Sequence, residues 1–311
     1  MATKLIAASQ VRFIKLGQKG GWEKECIGGT LPCIRLGFCS HQHKESLAQD
    51  WDAILHYWQT TGGKKKGKAT EYTNQVRMFY TDDEQTLWIT FYLGKLYWCF
   101  ASKDVQELPD GTRIRRTLAP WSCQDVNGKV LLFDNLSGAL TKVQGFRGTI
   151  CEVAQAAYLI KRLNGECTQA VGRAKACLRE LEGALQPLIQ NLGWKDFELL
   201  CDLIFTQAGW QRVSVVGKTQ KKIDLELLSP VSARRAAVQV KSQADLKTFL
   251  YYKEQFAQMR QYDEVYFVVH SPSKELAQHQ SDSPVVLLTA DRLASFVVSA
   301  GLTKWLITKV S

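Results

Sequence analysis

Residues 221–242 read KKIDLELLSPVSARRAAVQVKS, two β-rich runs on either side of a break. Ile223 to Leu228 is dense in strand formers, Ser229-Pro230 interrupts it, and Arg235 to Val240 resumes it, so the segment is expected to fold as a strand hairpin. Asp224 stands at the start of the first run. Gln239 and Lys241 alternate with Val238 and Val240 and so share one face of the second, read here as its exposed polar face. If the strands pair, the carboxylate of Asp224, the amide of Gln239 and the ammonium of Lys241 converge. A hard oxygen ligand, a neutral oxygen and a fixed positive charge suit a divalent cation beside a water, and with it phosphodiester hydrolysis. On spacing alone, the favoured reading is the ordinary one: an acid, an amide and a lysine on the exposed side of an antiparallel pair.

The flanks narrow the choice. Upstream, Phe197, Leu200, Cys201, Ile204 and Phe205 recur at helical spacing, which predicts a helix from Lys195 to Gln207 stopped by Gly209, with Glu198 at the edge of its buried stripe. A short strand from Arg212 to Val216 and a turn at Gly217 then lead to the Asp224 strand. Downstream, a helix at Leu246 to Met259, strands at Glu264 to His270 and Val285 to Leu288, and a helix at Asp291 to Ala300 complete an α/β alternation with helices expected on both faces of the sheet.

This order of acid-bearing helix, strand, Asp strand and Gln-x-Lys strand closely resembles the PD-(D/E)XK nuclease superfamily. It is most similar to the Mrr-like branch, in which glutamine replaces the acid of the last motif. The resemblance covers roughly residues 192 to 290. It implies that Asp224, Gln239 and Lys241 are the catalytic motif, that Glu198 is the supporting acid of the first helix, and that Asp224 and Gln239 hold Mg²⁺ or Mn²⁺. Ile223 stands where the family usually has proline, and Gln239 replaces the commoner acid. An inactive nucleic-acid-binding scaffold is therefore the alternative to an active enzyme.

At 311 residues the chain has room for two domains, and a net charge of +10 favours a polyanionic partner. The nine cysteines lack paired spacing, which suits a reducing cytoplasm better than a disulfide scaffold, and no segment is expected to span a membrane. Cys26, Cys33, Cys39, His41 and His43 fall close together but lack the tight C-x2-C hook of zinc sites, so core cysteines with exposed histidines are the favoured reading.

The N-terminal half is read as an α+β, barrel-like domain. Strands are expected at Val11 to Ile14, Ile34 to Phe38 and Val130 to Phe133, with a hairpin formed by Leu87 to Tyr92 and Leu96 to Phe100. A helix should begin near Ser46 and end at Gly62-Gly63, followed by a basic loop in which Lys64, Lys65, Lys66 and Lys68 can meet phosphates. Aromatic residues are abundant, among them Trp22 beside Gly20-Gly21 and Trp98 in mid-strand; both are candidates for stacking on a base, with Trp22 preferred because it falls in an expected loop. The phrases FIKLGQKGGW and GFRGTI give this half a looser resemblance to PUA-like readers of the EVE and ASCH type, which cradle modified bases.

The expected organisation is therefore a reader domain at 1–150, a helical hairpin at 151–190 and a restriction-endonuclease-like α/β domain with a mixed sheet at 191–311. On Thr168 to Leu188, Val171, Leu178 and Leu185 repeat every seven residues, a seam short for an autonomous coiled coil. The expected function is a metal-dependent endonuclease acting on DNA, with modified bases as its cue and restriction of foreign DNA as its role. RNA is the alternative polymer, activation by a small ligand the alternative control, and a homodimer a compatible assembly.

Overall fold

The computed structural model describes residues 5–37, 42–213, 223–279 and 284–311. Contacts divide the chain into two compact units, 1–168 and 169–311. Among the described residues, no single helix is long and apolar enough to cross a membrane.

In the first unit, β1 (Gln10–Ile14) lies parallel to β3 (Thr86–Tyr92) and antiparallel to β7 (Ile150–Glu152), while β3 pairs with β4 (Lys95–Phe100), giving the order β4-β3-β1-β7. A second sheet contains β2 (Cys33–Leu36), β5 (Gln106–Glu107) and β6 (Arg113–Arg116) in the order β2-β6-β5. Alternation along β3 sends Trp88 into one core, with Ile14, Val76 and Phe79, and sends Leu87, Ile89 and Phe91 into another, with Leu159 and Leu163. The helices are α1 (Glu23–Gly28), α2 (His43–Leu47), α3 (Trp51–Gln59), α4 (Lys66–Thr81), α5 (Gly138–Thr141) and α6 (Ala156–Leu163).

Several expectations for this unit are corrected. Among the described residues the strands do not close into a barrel. The chain around Ser122 to Leu132 touches β4 and itself through isolated bridges only, so the expected strand at 130–133 does not form, and a 3₁₀ turn occupies Phe133–Asn135. The helix expected from Ser46 onward is broken in two, because Gln49 adopts φ 59° and Asp50 caps the start of α3 through Ala53 N–H at 3.0 Å. The basic loop is shorter than expected, since Lys66 and Lys68 already belong to α4.

In the second unit, α7 (Gln169–Gln190) and α8 (Trp194–Gln207) precede a five-stranded sheet of order β12-β11-β10-β9-β8. Its strands are β8 (Gln211–Arg212), β9 (Leu225–Leu228), β10 (Arg235–Ala244), β11 (Glu264–Pro272) and β12 (Val285–Leu288). β9 and β10 form the expected antiparallel pair, with Leu225 opposite Val238, and β10, β11 and β12 run parallel, with Lys241 beside Val269. The sheet is mixed, as expected. One face packs Leu225, Leu227, Ala236 and Val238 against α7, α8, α11 (Ala290–Ser299) and α12 (Thr303–Val310). The other packs Ala237, Phe267 and Val269 against α9 (Leu246–Ala257) and α10 (Lys274–Ala277). Only the end of the seven-residue seam on α7 is used in this core: Leu185 and Ile189 are buried, while Val171 and Leu178 are exposed.

Candidate active site

β10 is an interior strand, and this changes the setting of its polar residues. Gln239 and Lys241 do alternate with Val238 and Val240, but they look toward the α9 layer rather than onto an open surface, and Gln239 is only 2% exposed. The expected exposed polar face is in fact a covered one. A buried amide must find partners or forfeit its hydration, so what Gln239 contacts is informative.

Asp224 is the partner. Its backbone N–H donates to the Val238 carbonyl at 3.0 Å, which continues the antiparallel pairing one residue beyond β9. Its Oδ2 accepts from Nε2 of Gln239 and from the backbone N–H of Val240 at 2.6 Å. Burial raises the Asp224 carboxyl above its ordinary value, against the opposing pull of the Val240 N–H, the Lys241 ammonium, the Gln239 amide and Arg212. The Lys241 ammonium also lies over the ring of Tyr252 on α9, with Nζ 5.4 Å from its centroid. The structure thus brings Asp224, Gln239 and Lys241 together.

Glu198 joins them indirectly. It sits on α8 with Oε1 3.5 Å from Nη2 of Arg212, and the same Nη2 is 3.5 Å from the backbone carbonyl of Asp224. Asp202, one turn further along α8, also faces this guanidinium at 3.7 Å. Arg212 and Asp202 were not singled out from the sequence. The signal for Asp202 was present, because a residue four positions from Glu198 on a helix shares its face.

A divalent cation can be tested against these atoms. Among the described residues, Oε1 of Gln239 is buried and has no hydrogen-bond partner, although Nε2 of the same amide is engaged. An orphaned amide oxygen beside a carboxylate is a donor set for a hard cation. Among the described residues no three His, Cys, Asp or Glu side chains group as a metal site. The Asp224 carboxylate and the Gln239 amide oxygen are hard donors of the kind that Mg²⁺ or Mn²⁺ takes.

The N-terminal candidates fall into different settings. Trp22 is packed rather than presented: Arg35 lies 4.4 Å above its ring, and a Cβ on Gly37 would meet the ring at 2.6 Å. Trp98, its Nε1 donating to the Gln124 carbonyl at 2.9 Å, lines a cavity of about 580 Å³ with Phe100, Leu118, Pro120 and Glu84. Lys64, Lys65 and Lys66 are exposed, and among the described residues they form no ion pair, whereas Lys68 pairs with Glu71 at 2.8 Å. Cys26 and Cys33 are buried core thiols 3.7 Å apart, and His43 Nδ1 lies 2.7 Å from the Tyr80 hydroxyl. Cys39 and His41 lie outside the described residues.

Residues 189–297 match the family model of the Mrr catalytic domain, described as "Restriction endonuclease". The match encloses α8, the whole sheet and the Asp224 cluster, and the second unit therefore carries a nuclease domain of the PD-(D/E)XK superfamily. Within that superfamily it is Mrr-like. No curated protein matches the chain. Among solved structures, a DNA modification-dependent restriction endonuclease, AspBHI, aligns with 77% of this chain and 74% of its own at 15% identity, with a TM-score of 0.31, a similarity too distant to carry over fold or specificity.

Proposed function

We propose that the protein is a divalent-metal-dependent endonuclease that hydrolyses DNA in response to a base modification and serves to restrict foreign DNA. The observation that carries this reading is the convergence of Asp224, Gln239 and Lys241 inside a restriction-endonuclease domain, with the Gln239 oxygen left over for a cation. In this reading Asp224 and Gln239 hold Mg²⁺ or Mn²⁺. The cation supplies Lewis acidity at the scissile phosphate.

The remaining work falls to the side chains. Lys241 places a positive charge where negative charge develops on the phosphoryl oxygens, and the Tyr252 ring restricts where that ammonium can go. Asp224 must be ionised to serve. The Val240 N–H and the Lys241 ammonium favour that form against the cost of burial. Glu198, tied to Arg212, acts in support.

Recognition of the modified base is assigned to the first unit, because phosphate contacts position a protein without informing it of sequence or chemistry. Trp98 in its cavity is the better stacking platform and Trp22 the weaker one, since Arg35 already covers its ring. Lys64, Lys65 and Lys66 supply phosphate contacts. Incubating unmodified plasmid, base-modified phage DNA and total RNA with the protein in Mg²⁺ or EDTA tests the whole reading. Mg²⁺-dependent cleavage confined to modified DNA is expected. Cleavage of RNA alone, or of nothing, contradicts it.

A further inference from the structure

We propose that Arg212 is a positioning residue that sets the cation affinity of the Asp224 site, by acting as the counter-ion to the carboxylates of α8 until a divalent cation takes that part. The inference rests on the nuclease reading and deepens it. Its basis is the negative charge that three carboxylates bring to bear around Cys201. Glu198 and Asp202 come from α8 and Asp224 from the position just before β9, and all three bear on the buried thiol of Cys201, which burial first and these charges second push well above its ordinary value. Negative charge so concentrated needs a counter-ion.

Arg212 is placed to be that counter-ion. From the edge strand β8, its guanidinium reaches Glu198 at 3.5 Å, Asp202 at 3.7 Å and the Asp224 carbonyl at 3.5 Å. Its planar fork thereby holds α8 and the motif strand in register, which a point charge does less well. Asp224 and Gln239 would hold a divalent cation whose positive charge would oppose that of the Arg212 guanidinium, which Glu198 and Asp202 already draw to this side of the site. Arg212 therefore has two opposed effects. It aligns Glu198 for the reaction, and it weakens cation binding by lowering the negative potential of the site.

Opposed effects make a distinctive signature, because a merely structural residue would lower affinity and turnover together when removed. The experiment is calorimetric titration of the full chain with Mn²⁺, paired with cleavage rates at saturating Mn²⁺, for wild type and for Arg212→Gln, Arg212→Ala and Arg212→Lys. Arg212→Gln and Arg212→Ala should bind Mn²⁺ at least about threefold more tightly and yet turn over more slowly, given the charge removed at this range. Arg212→Lys, which keeps the charge, should stay within about twofold of wild-type affinity and serves as the folding control. Equal or weaker Mn²⁺ binding by the neutral variants, with wild type binding normally, overturns the role of Arg212 and leaves the nuclease reading standing. Failure of wild type and every variant to bind Mn²⁺, even with uncleavable phosphorothioate DNA present, overturns the cation site itself.

Discussion

Gln239 donates its side-chain amide to Oδ2 of Asp224, and the oxygen of that same amide is buried without a hydrogen-bond partner among the described residues. The pair is thus half satisfied. A carboxylate held by an amide and a backbone N–H is oriented in advance, and the orphaned oxygen carries a desolvation cost that a cation would relieve. Such an arrangement trades stability for a preformed site.

That trade predicts a pH-dependent gain for Asp224→Asn. Burial raises the folded-state pKa of Asp224, so the protonated form is favoured on folding and the stability it contributes is lost as pH rises through that raised value. Near pH 7 the wild type carries the cost of a buried charge and the variant does not. Thermal melts in EDTA should therefore show Asp224→Asn more stable than wild type at pH 7, with the gain shrinking toward pH 4. A variant less stable at both pH values would contradict this.

His270 predicts the opposite dependence. It is buried against Phe197, with ring centroids 4.5 Å apart, its Nδ1 lies 2.9 Å from Ser271 Oγ, and burial lowers its pKa. A histidine kept neutral in the fold contributes stability that is complete above its unfolded pKa of about 6.5 and lost as pH falls toward the depressed folded value. Replacing it with Phe should leave the variant less sensitive than wild type to a change from pH 7.5 to pH 5. Equal acid sensitivity of the two melting temperatures would count against it.

Removing the charges of Lys64, Lys65 and Lys66 should weaken DNA binding about equally for all sequences and lower the slope of log affinity against log salt by about 0.9 for each phosphate no longer neutralised. Lys68→Ala should change the slope less, because Glu71 already neutralises that ammonium at 2.8 Å. Fluorescence anisotropy across a salt series reads both. An unchanged slope in the triple variant would mean that this segment does not meet phosphate.

The two tryptophans should separate by stability and by selectivity. Trp22→Ala removes a ring packed between Gly17, Gly37 and Arg35, and is expected to cost about 3–5 kcal/mol in thermal or urea unfolding. Trp98→Ala is expected to remove about 1–3 kcal/mol of preference for modified over unmodified DNA at a smaller cost in stability. Intact preference in a folded Trp98→Ala protein would exclude its cavity as the base site.

The second unit was largely legible because its signals are local. Alternation fixed which residues of β10 share a face, and the helical period of Phe197, Leu200, Cys201 and Ile204 placed Glu198 at the rim of a buried stripe. The burial of Gln239 was not legible, since a strand's own pattern does not reveal which helix will cover it. The first unit was read less well. Its sheet depends on β1 pairing in parallel with β3, residue 11 beside residue 87, a pairing no local pattern announces. Arg113 and Arg115 on β6 look like surface charges in the sequence but are fully buried, and Arg115 donates to the carbonyls of Phe79 and Asp82 at 3.0 and 2.9 Å. Some of the excess positive charge thus braces the fold and is not presented to a partner.

If Asp224, Gln239 and Lys241 form the centre of a metal-dependent DNA nuclease, substitutions there abolish cleavage and spare binding. The measurement is Mg²⁺-dependent cleavage of base-modified DNA by wild type, Lys241→Ala and Asp224→Ala, with DNA binding measured on the same preparations. Loss of cleavage by about 10²-fold or more in both variants, with binding retained, is the predicted result. Wild-type cleavage rates in either folded variant would contradict the account.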